Sequence, residues 1–341
     1  MKEKFNRIIR TTCTLLFLGA VVLSGCAPKT VAPTAAAPAA AAPATAAPAP
    51  ATVVPVKTIK ILAVEKTLIN EHWQVMKTGY EAAAKRYGVT IDVISVPTEA
   101  DTTGQLAAVE AALVKGYDAI CVSPITPNNL NPALAEATKK GIPIVNVDEL
   151  IPADVAKDAG ISIAAGITSN NYNAGVFAGN YMVDHLKAGD KVAVIEGLAG
   201  NTTGQLRRDG FVNTIKAGGL NLVASQPGDW DRAKANSVAT NILQANPDLK
   251  GIYFSNDTMA LGGMEAVESA GLGGKIILIG TDAIPEAQKA VKDGRLVGTV
   301  AQYPFEMAVL CVENVIKLLE GRPIASAIEA PIKLLLKADI K

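Results

Sequence analysis

From Lys57 onward the chain alternates short, nearly continuous apolar runs with amphipathic runs of helical period. The apolar runs are Thr58–Val64, Thr90–Ile94, Ala119–Val122, Pro143–Val147, Lys191–Ile195, Leu220–Ser225, Gly251–Phe254, Lys275–Ile279 and Val297–Val300. Helical runs lie between them, for example Ile69–Arg86, Gly104–Val114, Asn128–Lys139, Asn173–Leu186, Thr203–Ala217, Arg232–Ala245, Thr258–Ser269 and Pro304–Glu320. Strands separated by helices of this length pair in parallel through right-handed crossovers. A strand that is apolar at every position, rather than at alternate ones, has helices on both sheet faces. The pattern predicts an α/β fold of doubly wound parallel sheets.

The region spans about 285 residues, which suits two lobes better than one core. Its halves echo each other. Residues 118–148 run strand, polar turn (Ser123-Pro124), helix, strand and aspartate, ending Val145-Asn146-Val147-Asp148. Residues 250–282 repeat that order with the turn Asn256-Asp257, ending Ile279-Gly280-Thr281-Asp282. Ligands bind beyond the carboxyl ends of parallel strands. Two facing lobes would put Asp148 and Asp282 on opposite walls of one cleft.

Residues 1–56 have a different character. Lys2, Lys4, Arg7 and Arg10 precede an uncharged run from Thr11 to Gly25, the anatomy of a secretory signal over residues 1–25. The run is about 15 residues, short of the roughly 20 a spanning helix needs. Its exit, Leu23-Ser24-Gly25-Cys26, resembles the bacterial lipobox, which implies cleavage and lipidation at Cys26. Residues 27–56 are almost entirely Ala, Pro, Thr and Val, with Lys29 as the only charge. Frequent Pro blocks helix propagation, so residues 26–56 read as a lipid-anchored, semi-rigid tether. The expected location is outside the cytoplasmic membrane, on its outer face or in a periplasm.

Composition excludes several functions. Lys+Arg and Asp+Glu balance at 32 each, with no basic stripe, so nucleic acid is not an expected partner. Two histidines, His72 and His185, and no Cys/His cluster give no metal site. Cys121 and Cys311 lie in apolar contexts and are expected to be buried free thiols. The first strand is followed by Glu65-Lys66-Thr67, without the glycines of a dinucleotide loop. The Gly-rich stretch 197–204 continues with Gln205, where a phosphate loop needs Lys. No nucleophile elbow and no paired acid and base appear, so neither enzymatic activity nor a cofactor is expected.

The strand ends offer Lys66, Asn70, His72 and Trp73, then Asp148 and Glu149, in the first half. The second half offers Arg207, Trp230, Asn256, Asp282 and Gln302. Carboxylates accept from two hydroxyls at once, Arg and Lys donate, and Asn and Gln do both. An indole covers the C–H face of a sugar ring while its N–H stays available. The set suits a small polyhydroxylated ligand. Competing roles are core packing or a cation–π partner for the tryptophans, helix N-capping for Asp148 and Asp282, and a solvated face for Arg207, which the pattern does not separate from Arg208.

Several longer motifs carry a family resemblance. Val223-Ala224-Ser225-Gln226-Pro227-Gly228-Asp229-Trp230-Asp231-Arg232, Asn256-Asp257-Thr258-Met259-Ala260-Leu261-Gly262, Gly280-Thr281-Asp282 and Thr299-Val300-Ala301-Gln302 are such motifs. With them, residues 58–341 resemble the extracytoplasmic sugar-binding proteins of ABC importers, in the ribose-binding-like branch of the type I periplasmic binding proteins. The resemblance implies an N-terminal lobe of residues 57–168 and 303–329 and a C-terminal lobe of residues 169–302 and 330–341. It implies three hinge segments, near 168–170, 301–303 and 329–331. It carries hydrogen bonding to the sugar onto Asp148, Arg207, Asn256, Asp282 and Gln302, and ring stacking onto Trp73 and Trp230. Allose-binding members carry Lys and Glu where this chain has Lys66 and Glu149, which favours a hexose over ribose. The family pattern N-P-F-[FW] reads Asn70-Glu71-His72-Trp73 here, so His72 replaces an aromatic residue and keeps a polyol or ketose open. The implied partners are a monosaccharide, an ABC permease and membrane lipid through Cys26, with the protein acting as a monomer. A sugar-sensing subunit for a membrane kinase or chemoreceptor would use the same closed form.

Overall fold

The computed structural model describes residues 58–341; the signal, the tether and Cys26 lie outside them. The first sheet holds β1 (Lys60–Thr67), β2 (Thr90–Val96), β3 (Ala119–Val122), β4 (Ile144–Val147) and β5 (Ala165–Ser169). The intervening helices are α1 (Glu71–Tyr87), α2 (Thr102–Ala112), α3 (Asn131–Lys139) and α4 (Ala153–Asp158). After α5 (Asn171–His185), the second sheet holds β6 (Lys191–Glu196), β7 (Asn221–Pro227), β8 (Gly251–Phe254), β9 (Ile277–Asp282) and β10 (Gly298–Ala301). Its helices are α6 (Thr202–Ala217), α7 (Arg232–Ala245), α8 (Asp257–Ser269) and α9 (Pro285–Lys292). Last come α10 (Pro304–Leu319), β11 (Ala327–Ala330) and β12 (Lys333–Leu336).

The sheets run β11-β5-β4-β3-β1-β2 and β12-β10-β9-β8-β6-β7, the same order once corresponding strands are matched. All pairings are parallel except β10 with β12. The short β5, β11 and β12 go beyond the nine strands that the sequence predicts. They sit at the junctions of the lobes, where Ala-Gly-Ile-Thr-Ser and Ala-Ile-Glu-Ala carry no long apolar run. The described chain crosses between sheets after β5, after β10 and between β11 and β12.

The apolar strands divide their side chains between two cores. In β1, Ile61 and Ala63 pack with residues of α1 and α10, while Leu62 and Val64 pack with residues of α2 and α3. In β8, Ile252 and Phe254 join a core with α7 and α8, and Tyr253 joins the core of α5 and α6. Burying each such Ile, Leu or Phe contributes about 1.5–3 kcal/mol. This explains why the central strands tolerate no alternation.

One expectation is corrected. Cys121 of β3 and Cys311 of α10 are joined in a disulfide, with Cα atoms 6.4 Å apart, rather than standing as free thiols. They are 190 residues apart in sequence, and only the return of α10 to the first lobe brings them together. Such a bridge fits an oxidising compartment outside the cytoplasm. Both thiols should resist alkylation in unfolding conditions unless a reductant is added. Replacing both by Ala should cost about 2–5 kcal/mol in chemical denaturation.

Glu65 faces the α1–α10 side of β1, fully buried, and neither oxygen finds a hydrogen-bond donor in the protein. Burial pushes its pKa up from 4.5 to about 8, against the pull of Lys77. The folded protein therefore holds this proton more tightly than the unfolded chain does. Its contribution to stability is complete below pH 4.5 and is lost as pH rises through about 8. Glu65→Gln should flatten that decline in urea unfolding between pH 5 and about 8, and an unchanged slope would show that Glu65 is not its source.

Candidate functional site

Both sheets place their switch points, β1 between β2 and β3 and β6 between β7 and β8, toward one cleft. A cavity of about 20 Å³, room for little more than one water molecule, lies there. It is lined from the first lobe by Lys66, Asn70, His72, Trp73, Glu99 and Asp148, and from the second by Thr203, Arg207, Trp230, Asn256 and Asp282. Gln302, at the crossing after β10, completes the wall. Ten of the eleven residues predicted for the cleft are thus brought together. Glu149 is not: its carboxylate is fully buried and turned away from the cavity toward α6.

Local geometry explains how each side chain is aimed. Asn70 and Asn256 cap α1 and α8, each accepting from a backbone N–H of its own helix (His72 and Met259). The Asn70 amide also donates to Glu99 at 2.9 Å. Asp148 and Asp282 do not cap; the N-cap positions of α4 and α9 are Pro152 and Ile284. Both instead adopt positive φ, 66° and 129°, as do Asp229, Trp230 and Ala283. These are the non-glycine residues with positive φ among those described; three of the five line the cavity and the other two are their chain neighbours. Backbone strain concentrated at one place is a mark of a functional site.

Arg207 is buried, donating from Nε to Asn171 at 2.9 Å and from Nη1 to the Ser255 carbonyl at 2.7 Å. Arg208 pairs with Glu196 and Asp209 away from the cavity, which separates the two arginines that the residue pattern alone leaves open and agrees with the choice the family resemblance implies. Gln302 donates to Asp282 at 2.6 Å. Gly197 faces Trp230 so closely that a Cβ there would fall 2.0 Å from the indole, so only glycine leaves the ring its place. The Gly-rich stretch after β6 therefore makes room for an aromatic residue. The expectation that both indole N–H groups stay available holds for Trp230, which has no partner in the protein. Trp73 gives its N–H to Glu99 at 3.0 Å.

The charges in the cavity are balanced in pairs. Lys66 lies 3.8 Å from Asp148 and Arg207 3.8 Å from Asp282. His72 stands between the lobes, 3.4 Å from Asp148 and 3.6 Å from Asp282, with neither ring nitrogen in a hydrogen bond. Burial alone would depress the His72 pKa, but Asp282 and Asp148 outweigh it and raise it. Burial would raise Asp148, yet His72, Lys66 and Arg207 hold it well below the usual carboxylate range. Burial dominates at Asp282 and pushes it up, despite His72, Arg207 and Gln302. Two wall residues lie outside the predicted set. Glu99 follows β2, a strand end that points to the same cleft, and Thr203 lies in the first turn of α6, within the stretch read only as Gly-rich. Among the described residues no cluster of His, Cys, Asp and Glu is placed to hold a metal ion.

Residues 63–323 match the family model described as periplasmic binding protein domain. The D-allose-binding periplasmic protein of Escherichia coli (strain K12) is 46% identical over 246 residues, 72% of this chain and 79% of that protein. The crystal structure of an ABC transporter periplasmic solute binding protein from Actinobacillus succinogenes 130z with bound D-allose superposes with a TM-score of 0.78 at 32% identity, covering 83% of this chain and 99% of that one. An ABC transporter solute binding protein from Agrobacterium vitis with bound D-fucose gives a TM-score of 0.78 at 31% identity, covering 82% and 96%. These relatives are solute-binding proteins rather than enzymes. The chain is a member of the periplasmic binding protein family, in the branch of ABC-transporter sugar-binding proteins.

Proposed function

We propose that the protein captures one uncharged monosaccharide, an allose-like hexose first among candidates, and delivers it to an ABC permease while anchored outside the membrane through Cys26. The observation that carries this reading is that Trp73 and Trp230, one from each lobe, line one small cavity with ion-paired polar groups, Lys66 lying over the first ring and Arg207 over the second. Two aromatic faces suit the C–H surfaces of a sugar ring. Asp148, Asp282, Arg207, Asn256 and Gln302 suit its hydroxyls, as acceptors and donors in charge-assisted bonds.

The electrostatics support a neutral ligand. Lys66, Asp148, Arg207 and Asp282 each already have an opposite or ionisable partner within 4 Å, and Glu99 accepts from Asn70 and Trp73. A charged ligand would leave one charge uncompensated in a dry site, at a cost of several kcal/mol. Hydroxyl groups add hydrogen bonds without upsetting the balance. Relatives that bind D-allose and D-fucose make a pyranose the first class to test. His72, in place of a third aromatic ring, leaves ketoses and polyols as the next.

Binding should appear as a rise in melting temperature against a panel of pentoses, hexoses, ketoses and polyols. A ligand at 100 times its Kd adds about 2.7 kcal/mol of stability. A panel in which no sugar or polyol shifts the transition, while a nucleotide or amino acid does, would overturn the reading. Asp148→Asn and Asp282→Asn suit the positive φ of these positions better than Ala would. Each should weaken binding by about tenfold to a hundredfold, as expected on loss of hydrogen bonds to a charged group, and leave the protein folded by circular dichroism. Unchanged affinity in both would move the site elsewhere.

A further inference from the structure

Glu149 is the one predicted cleft residue that does not line the cavity, and its surroundings give it another task. It follows β4 in the first lobe, yet every hydrogen-bond donor to its carboxylate belongs to the start of α6 in the second. The backbone N–H of Thr202 donates to Oε1 at 2.7 Å. The Asn201 side-chain amide and the backbone N–H of Thr203 donate to Oε2 at 2.7 and 3.2 Å. Asn201 reaches across a second time, donating to the Ile125 carbonyl at 3.1 Å. Asn201 and Glu149 are both fully buried.

The first turn of a helix carries unpaired N–H groups and a partial positive charge, which a carboxylate satisfies. Here the carboxylate comes from the opposite lobe, so the bonds exist only when the lobes are together. Separating them would strip Glu149 of all three donors. Lys66 stays with it in the first lobe, 3.8 Å from Glu149 as well as from Asp148. The same turn of α6 carries Thr203 to the cavity wall, and Arg207 follows one turn later.

We propose that Glu149 is a positioning residue, an interlobe latch that docks the N-terminus of α6 onto the first lobe and so holds the cleft closed whichever sugar is inside. This rests on the binding reading above for the identity of the ligand, but not for the latch itself. Asp148 and Glu149 divide the work: one carboxylate faces the cavity, and its neighbour fastens the far lobe.

A latch and a sugar contact predict different results. In the full-length protein, Glu149→Ala should weaken every sugar that binds by the same factor, about tenfold or more, with their ranking preserved. The closed fraction at equal fractional saturation, read by fluorescence transfer between labels on the two lobes, should fall. Asn201→Asp keeps the oxygen that caps α6 through the Gly204 N–H but sets a second carboxylate against Glu149. It should reproduce the loss without touching the cavity, and it carries the test if Glu149→Ala fails to fold. A loss confined to sugars with one particular hydroxyl would make Glu149 a ligand contact and overturn the latch, as would normal closure in Asn201→Asp. If the wild-type protein binds no sugar or polyol at all, the binding reading fails on its own. The latch is then judged by spontaneous closure without ligand, which must still be lower in both variants.

Discussion

The cleft depends on a set of buried charges that pair within each lobe and are linked across the lobes by His72. Lys66 and Asp148 belong to the first lobe and Arg207 and Asp282 to the second, while His72 approaches an aspartate from each. Moving any one of these ions alone into a dry interior would cost several kcal/mol. Together they form a polar floor that remains satisfied at short range and keeps acceptors turned toward the cavity. The strand-end placement of Asp148 and Asp282, the capping asparagines and the glycine beneath Trp230 all serve to bring these groups to one point.

Much of this arrangement is visible in the sequence, for a definable reason. Doubly covered sheets demand continuous apolar strands, and a parallel strand must stop abruptly at a polar residue where it leaves the core. Val147-Asp148 and Thr281-Asp282 are such stops. The repeated order of strand, turn, helix and strand then predicts two lobes of like topology, which the matching sheet orders bear out. The resemblance to sugar-binding proteins rests on motifs at these same stops. Without that resemblance the pattern leaves Arg207 and Arg208 equivalent, and the choice between them is made by hydrogen bonds to Asn171 and Ser255.

What the sequence hid is what depends on distant chain segments meeting. The Cys121–Cys311 bridge needs α10 to return to the first lobe, and nothing local to either cysteine signals that. β5, β11 and β12 are short strands where the chain changes lobe, β11 and β12 at the sheet edges, and four or five residues are too few to stand out in the sequence. Glu99 escaped notice because it follows an edge strand, β2, whose half-exposed pattern does not advertise a site. Glu149 shares a strand end with Asp148, and its place at that end, like the family resemblance, points to the cavity. Adjacent residues at a turn need not face the same way, and a positive φ at Asp148 makes that separation possible.

That separation also shows how binding and closure can be linked through a single turn. Asp148 is held ionised by Lys66, His72 and Arg207, so it presents a ready acceptor to the cavity. Glu149, one residue on, meets donors only from the second lobe. Lys66 lies 3.8 Å from both carboxylates and is shared between them. A shift of this turn therefore cannot improve one contact without moving the other. Geometry of this kind lets a small uncharged ligand, which brings no net charge to the cleft, act on the relative position of two lobes: its hydroxyls need only fix the turn, and the carboxylate beside it fixes the helix.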